Sequence, residues 1–174
     1  NPFEVGKPFK QTLDLETGSI LIEADGIELR VWADANRPVY HVQIESPEEI
    51  AVSAAPELWT RFDDCVYNAS REPLDESTQD VLLENADDAL LWYYAVGDRS
   101  VYPTELEYYD IENMATEFPD PYRFNTFGNQ LESPQLTLQD GALTGSGKSF
   151  DIRINALTKQ TPEISDWIET IESQ

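Results

Sequence analysis

The stretch Gln11-Thr12-Leu13-Asp14-Leu15-Glu16-Thr17-Gly18-Ser19-Ile20-Leu21-Ile22-Glu23-Ala24-Asp25-Gly26-Ile27-Glu28-Leu29-Arg30-Val31-Trp32 decides the fold class. Its first five residues alternate polar and apolar, the period of two that a half-buried strand requires. Glu16-Thr17-Gly18 supplies a turn, and Ser19 to Glu23 forms the next strand. Asp25-Gly26 then stands between two apolar runs, the short-range signal of a tight hairpin. Ile27 to Trp32 returns with Ile27, Leu29 and Val31 on one face and Glu28, Arg30 and Trp32 on the other.

Working outward, Asn36-Arg37-Pro38 breaks the chain, because proline fixes its own φ and restricts the residue before it. Val39 to Glu45 and Ile50 to Ala55 read as two further strands. Ser70 to Ser77 is polar and contains Pro73, a long surface loop. Val81 to Leu83 and Leu90 to Val96 are strand-like, and the second is apolar without a break, as in a strand covered on both faces. Thr104-Glu105-Leu106-Glu107 has capping-box spacing, and Ile111, Met114, Ala115 and Phe118 recur at helical intervals, which predicts a helix over 104–117 ended by Pro119 and Pro121. Leu136 to Leu138 and Phe150 to Leu157 restore the β pattern. Asp140-Gly141 lies between them, and Gly145-Ser146-Gly147-Lys148-Ser149 reads as a glycine-rich hairpin turn, since the earlier glycine of a phosphate-binding loop is missing. A last helix is expected over 162–172, with Thr161 and Pro162 at its start and Ile164, Trp167, Ile168 and Ile171 as one apolar stripe. The fold class is therefore mainly β, an antiparallel β-sandwich with one or two short helices.

Of the 174 residues, 34 are Asp or Glu and 11 are Lys or Arg, a net charge of −23. That balance excludes nucleic acid, whose phosphates demand cations, and argues equally against anionic membranes. No signal peptide and no membrane span is visible. Cys65 is the single cysteine and His41 the single histidine, so no intrachain disulfide and no common structural zinc site can form. Cys65 reads as core filler and His41 as an ordinary sheet residue. No calcium-loop run is present, and no cofactor or metal is expected. Asn68-Ala69-Ser70 matches the glycosylation sequon, a short pattern that coincidence also produces.

Phe9 to Ile20 resembles an "F-x-Q-x-LDL-x-x-G-x-I" stretch, and Arg30 to Val39 resembles "RVW-x-DAN-x-P". Asp120-Pro121 with Thr126-Phe127-Gly128 resembles "DP … TFG", and Leu157 to Thr161 resembles "LT-x-QT". The ordered set is similar to the N-terminal β-sandwich domain of an uncharacterised Bacteroidetes-type family of glycoside-hydrolase-like proteins. Its layout resembles the N-terminal domain of α-L-fucosidase-type (α/α)6 glycosidases. That resemblance implies a supersandwich preceding a catalytic toroid for which 174 residues leave no room, and a periplasmic or extracellular setting. It implies a single β-sandwich fragment over 1–174, with 162–174 as a helical linker toward the absent catalytic domain. No position matches a catalytic motif, and Asn125 stands where relatives carry a basic residue before Thr126-Phe127-Gly128.

Two carboxylates flanking a glycosidic bond would be needed for hydrolysis, but adjacent pairs such as Asp63-Asp64 and Asp87-Asp88 point to opposite faces of a strand. The expected function is thus a non-catalytic accessory domain of a carbohydrate-active protein; the alternative is an independent carbohydrate-binding module. Trp32, Trp59, Trp92, Tyr94 and Trp167 are the candidate sugar or interface contacts, with Tyr93 beside them, because aromatic rings offer flat apolar surfaces to a sugar. Tyr102, Tyr108, Tyr109 and Tyr122 form a second set. The expected partners are the missing catalytic domain, an oligo- or polysaccharide, and a second copy through a partly exposed stripe on the last helix.

Overall fold

The computed structural model describes residues 3–58, 80–85, 88–98 and 100–174. Trp59, the Asp63-Asp64 pair, Cys65, the Asn68 sequon, the loop over 70–77 and Asp87 lie outside the described residues. The strands are β1 (Phe9–Asp14), β2 (Ser19–Ala24), β3 (Ile27–Ala33), β4 (Val39–Ala54), β5 (Val81–Asn85), β6 (Ala89–Ala95), β7 (Asn125–Glu132), β8 (Thr137–Gln139) and β9 (Ala142–Gln160). The described residues also form two helices, α1 (Tyr102–Tyr108) and α2 (Ile164–Glu172). The protein is mainly antiparallel β with two short helices, as its alternation requires. The strands hydrogen-bond in the order β1-β2-β3-β4-β9-β7-β6-β5, with β8 on β9. The chain divides into two compact units, Asn1–Pro56 with Leu83–Leu91 and Asn129–Ala156, and Glu57–Leu82 with Trp92–Gly128 and Leu157–Gln174.

In the first unit, β1 to β4 form a meander whose turns follow local chemistry. Asp25 and Gly26 have φ of 50° and 82°, and Ala24 pairs with Ile27, which makes the two-residue hairpin expected from Asp-Gly. Asp140 and Gly141, with φ of 51° and 75°, do the same between β8 and β9. The two strands expected over 39–45 and 50–55 are one, β4, whose register against β9 shifts between Glu45 and Ile50. Pro47 lies in that irregularity, where a residue without an N–H costs no ladder bond. The glycine-rich turn expected at 145–149 is also corrected. Those residues lie inside β9, where Gly145 pairs with Val52. A Cβ on Gly145 would meet Gln135 O at 2.7 Å and Leu136 Cδ2 at 2.9 Å, so glycine there serves close approach rather than turning. Leu90 and Leu91, successive residues of β6, are both buried, so both faces of the strand are covered there.

In the second unit, the helix expected over 104–117 is shorter and starts earlier. Ser100 Oγ accepts the Tyr102 N–H at 3.0 Å and Pro103 occupies the first turn, so Thr104 is inside α1 rather than its cap. Asp110 then turns left-handed (φ 55°), with its N–H on Glu107 O and the Ile111 N–H on Leu106 O. That is a Schellman ending built on aspartate rather than glycine. Only a 3-10 turn, Glu112–Thr116, follows. Thr126-Phe127-Gly128 belongs to β7.

The stripe expected to be partly exposed on α2 is covered at its centre and partly exposed at its sides. Trp167 and Ile171 are fully buried, Ile164 and Ile168 half-buried. Trp167 donates its indole N–H to Leu157 O at 3.2 Å and lies 5.5 Å from the Tyr93 ring. Its six-membered ring packs on Gly128, where an added Cβ would fall 2.6 Å from Trp167 Cζ2 and clash with Trp92 O. A large apolar ring fits α2 to this unit only because residue 128 has no side chain. Trp167→Ala should therefore destabilise the chain by about 3–5 kcal/mol in urea unfolding; a loss within about 1 kcal/mol would contradict this packing. Gly128→Ala should destabilise as well, and combining the two should cost less than their sum, because the deleted ring removes part of the clash.

Candidate functional site

The polar face of β2, β3, β4 and β9 gathers the chemistry of the first unit. Register places Ser19, Trp32, His41 and Arg153 in one row across the four strands. The next row on the same face is Leu21, Arg30, Gln43 and Asp151. The opposite face carries Ile22, Leu29, Ile44 and Phe150 in one row, and Ile20, Val31, Val42 and Ile152 in the next.

Trp32 and His41 stack, their rings 4.7 Å apart and 8° from parallel. Both are half-buried, so each ring keeps surface toward solvent. A hollow of about 230 Å³ beside Trp32 is lined by Thr17, Ser19, Arg30, Trp32 and Gln43. A second, of about 280 Å³, is lined by Trp32, His41, Gln43, Pro134, Asp151 and Arg153. The two share Trp32 and Gln43, so the aromatic stack stands between them. Gln43 Nε2 donates to Asp151 Oδ1 at 2.9 Å, and Arg153 pairs with Glu132 at 3.2 Å. The floor near Trp32 is also ordered. Thr17 Oγ1 donates to Asp14 Oδ2 at 2.8 Å and lies 2.8 Å from Ser19 Oγ. An ionised carboxylate accepts only, so Ser19 donates to Thr17 and keeps its own lone pairs for the hollow. Flat rings beside planar amide, carboxylate and guanidinium groups suit a ring-shaped polyol, with C–H bonds against the aromatics and hydroxyls toward the polar edges.

Of the described aromatics singled out in the sequence, only Trp32 joins this face. Trp92, Tyr93 and Tyr94 are half-buried on β6, and burial raises the pKa of both tyrosine hydroxyls, Asp80 adding to the effect at Tyr94. Trp167 is core. Tyr102 donates its hydroxyl to Phe118 O at 2.8 Å. Tyr108 and Tyr109 are exposed and meet edge to face at 5.0 Å, and Tyr122 is exposed. His41, Gln43, Asp151 and Arg153 were not singled out as contacts. Period-two alternation puts Arg30 beside Trp32, but pairing with β9 alone brings in Asp151 and Arg153.

The resembling segments meet in pairs. In the first unit, Asp14 and Ser19 come from the first segment, and Arg30 and Trp32 from the second. In the second unit, the Thr161 N–H donates to Phe124 O at 2.8 Å and Gln160 Nε2 to Arg123 O at 2.8 Å, joining the third segment to the fourth. Phe124 is held left-handed (φ 59°) there, a strained state for a bulky residue, with its N–H on Gly97 O. The whole chain, residues 1–174, matches the family model described as domain of unknown function (DUF5703), N-terminal part. The chain belongs to the DUF5703 N-terminal family. No curated protein matches it.

Three aspartates of this DUF5703 domain, all inside the resembling segments, close turns. Asp14 accepts the N–H of Glu16, Asp34 that of Asn36, and Asp120 that of Tyr122, at 2.8–2.9 Å. All three carboxyls titrate below the usual range. For Asp14 the main cause is the Thr17 hydroxyl and then the turn N–H groups; for Asp34 it is the Asn36 N–H and then Arg37. At Asp120 burial alone would raise the value, but the Ser100 hydroxyl, the Tyr122 and Arg123 N–H groups and the Arg123 charge outweigh it. A depressed folded pKa contributes stability above the ordinary carboxyl value of 3.8, and this is lost as pH falls through the lowered folded value. Asp120→Asn should thus flatten the stability-against-pH curve below about pH 4 while leaving its shape near neutrality unchanged. An unchanged acid limb in thermal melts would contradict the role given to Asp120.

Proposed function

We propose that this chain is a non-catalytic domain that contacts carbohydrate through the Trp32 face, within a carbohydrate-active, glycoside-hydrolase-like parent in a periplasmic or extracellular setting. The observation that carries the reading is the parallel Trp32–His41 stack on a solvent-facing sheet, flanked by two hollows with planar polar walls. The ordered resemblance of its four segments to a glycoside-hydrolase-like family supplies the setting. Asp14, Asp34 and Asp120 are engaged in turns, duties that suit an accessory domain.

A scaffolding role beside the sugar contact is favoured by the opposite face of the same strands. Its apolar residues are buried on β9 and β4, with Phe150 at 1%, Ile152 at 6% and Ile44 at 8% exposure, but Leu13 and Phe9 on β1 reach 60% and 57%. A hollow of about 500 Å³ there is lined mainly by apolar side chains, among them Phe3, Ile27, Leu29 and Val52. Apolar surface left uncovered toward one sheet edge suits an accessory domain packed in a larger protein.

Titration of the chain with neutral oligosaccharides, followed by NMR, should shift resonances of Trp32, His41 and Gln43. Trp32→Ala should weaken binding by about tenfold or more, the scale of losing one aromatic stacking surface. Because Trp32 is half-buried, its variant is compared with wild type by circular dichroism first. Glycan binding that survives intact in a folded Trp32→Ala variant would sink the proposal.

A further inference from the structure

Resting on the carbohydrate reading of the Trp32 face, we infer that the hollow beside Trp32 takes a sugar carrying a carboxylate, an isolated uronate within an otherwise neutral glycan. Eight of the eleven cations are described, Arg61, Arg71 and Arg99 lying outside. Seven of the eight have a partner. Lys7, Lys10, Arg37, Arg123 and Arg153 form ion pairs, with Asp25, Glu23, Asp34, Asp98 and Glu132. Lys148 donates to Pro47 O, and Lys159 to Asp166 O and Thr170 Oγ1. Among the described residues, Arg30 alone has neither an ion pair nor a hydrogen bond. In a chain with three acids for each base, a guanidinium without a carboxylate needs a structural reason.

Register provides it. Arg30 pairs with Leu21 on one side and Gln43 on the other, both neutral. Asp151, one strand further, is occupied by Gln43. Asp14 is close enough for the Arg30 charge to lower its pKa, but the Asp14 oxygens are taken by Thr17 and the turn N–H groups. The fork of Arg30 therefore stays open over the hollow it lines with Trp32, Thr17, Ser19 and Gln43. Arg30 and Trp32 are two residues apart on one face of β3, about 6–7 Å along the strand. That spacing lets a pyranose ring lie on the indole while a carboxylate on the ring's edge meets the guanidinium in two parallel hydrogen bonds. The same −23 charge that makes an open arginine rare repels a polyanion as a whole, although it is screened beyond about 8 Å at physiological salt. One carboxylate among neutral sugars satisfies both conditions; a polyuronate does not.

Calorimetric titration of the chain with an unbranched xylo-oligosaccharide and with the same oligosaccharide bearing one glucuronic acid branch tests this. The branched ligand should bind about tenfold more tightly, the equivalent of about 1.4 kcal/mol. Arg30→Gln, at an exposed position that leaves the fold intact by circular dichroism, should bring the two affinities to within about twofold of one another. Equal affinities in the wild type would overturn the uronate assignment and leave the sugar-binding face standing. A preference that persists in Arg30→Gln would overturn the role of Arg30. Failure of both ligands to bind would remove the carbohydrate reading and this inference together.

Discussion

The pairing of β4 with β9 is the constraint on which the first unit depends. Twelve residue pairs, from Val39↔Asn155 to Ala54↔Leu143, join the N-terminal meander to the last third of the chain. Each such contact closes a loop of roughly a hundred residues, so the entropy of closure is lost before any contact is gained. Side chains reinforce the seam where it is solvent-facing. Ser149 donates to Glu45 at 2.6 Å, Gln43 to Asp151 at 2.9 Å and Lys148 to Pro47 O at 2.8 Å. Beneath it, Phe150, Ile152 and Ile44 supply the apolar burial that offsets the entropic cost.

That seam also assembles the polar face. A slip of β9 by one residue against β4 would turn Asp151 and Arg153 toward the core and Phe150 and Ile152 toward water, a cost shared by every residue of the ladder. Core and site are thus two readings of one register, and the site inherits its rigidity from the core. Arg30 stays open for the same reason: the ladder holds it between Leu21 and Gln43, and a single-residue change of partner is not available to it.

The second unit is built differently. Its order comes from short polar closures around Asp120 and Phe124 and from one large ring, Trp167, set on a glycine. The residues that carry the family resemblance divide by duty rather than by unit. Asp14, Asp34 and Asp120 make turns and Gly128 makes room, and these are architectural duties. Arg30 and Trp32 are the resembling residues that face solvent together.

Local sequence was sufficient where the physics is local. Alternation marked β1 to β3, the two Asp-Gly dipeptides specified their hairpins, and the unbroken run at Leu90 and Leu91 marked a strand covered on both faces. It was insufficient where a distant partner sets the outcome. Helical spacing at Ile111, Met114 and Phe118 yielded to an aspartate-based Schellman ending, which lacks the glycine that advertises one. Gly145 read as part of a turn because nothing nearby shows that Leu136 and Gln135 approach too closely for a side chain. The stripe of α2 was visible, but whether water or protein covered Trp167 depended on Gly128, thirty-nine residues away. For the site, sequence by itself determined that Arg30 and Trp32 share a face, since a strand alternates with period two. Only tertiary structure decided that His41 stacks on that tryptophan and that Asp151 and Arg153 complete the face, because register between strands a hundred residues apart is set by the summed burial of the whole ladder.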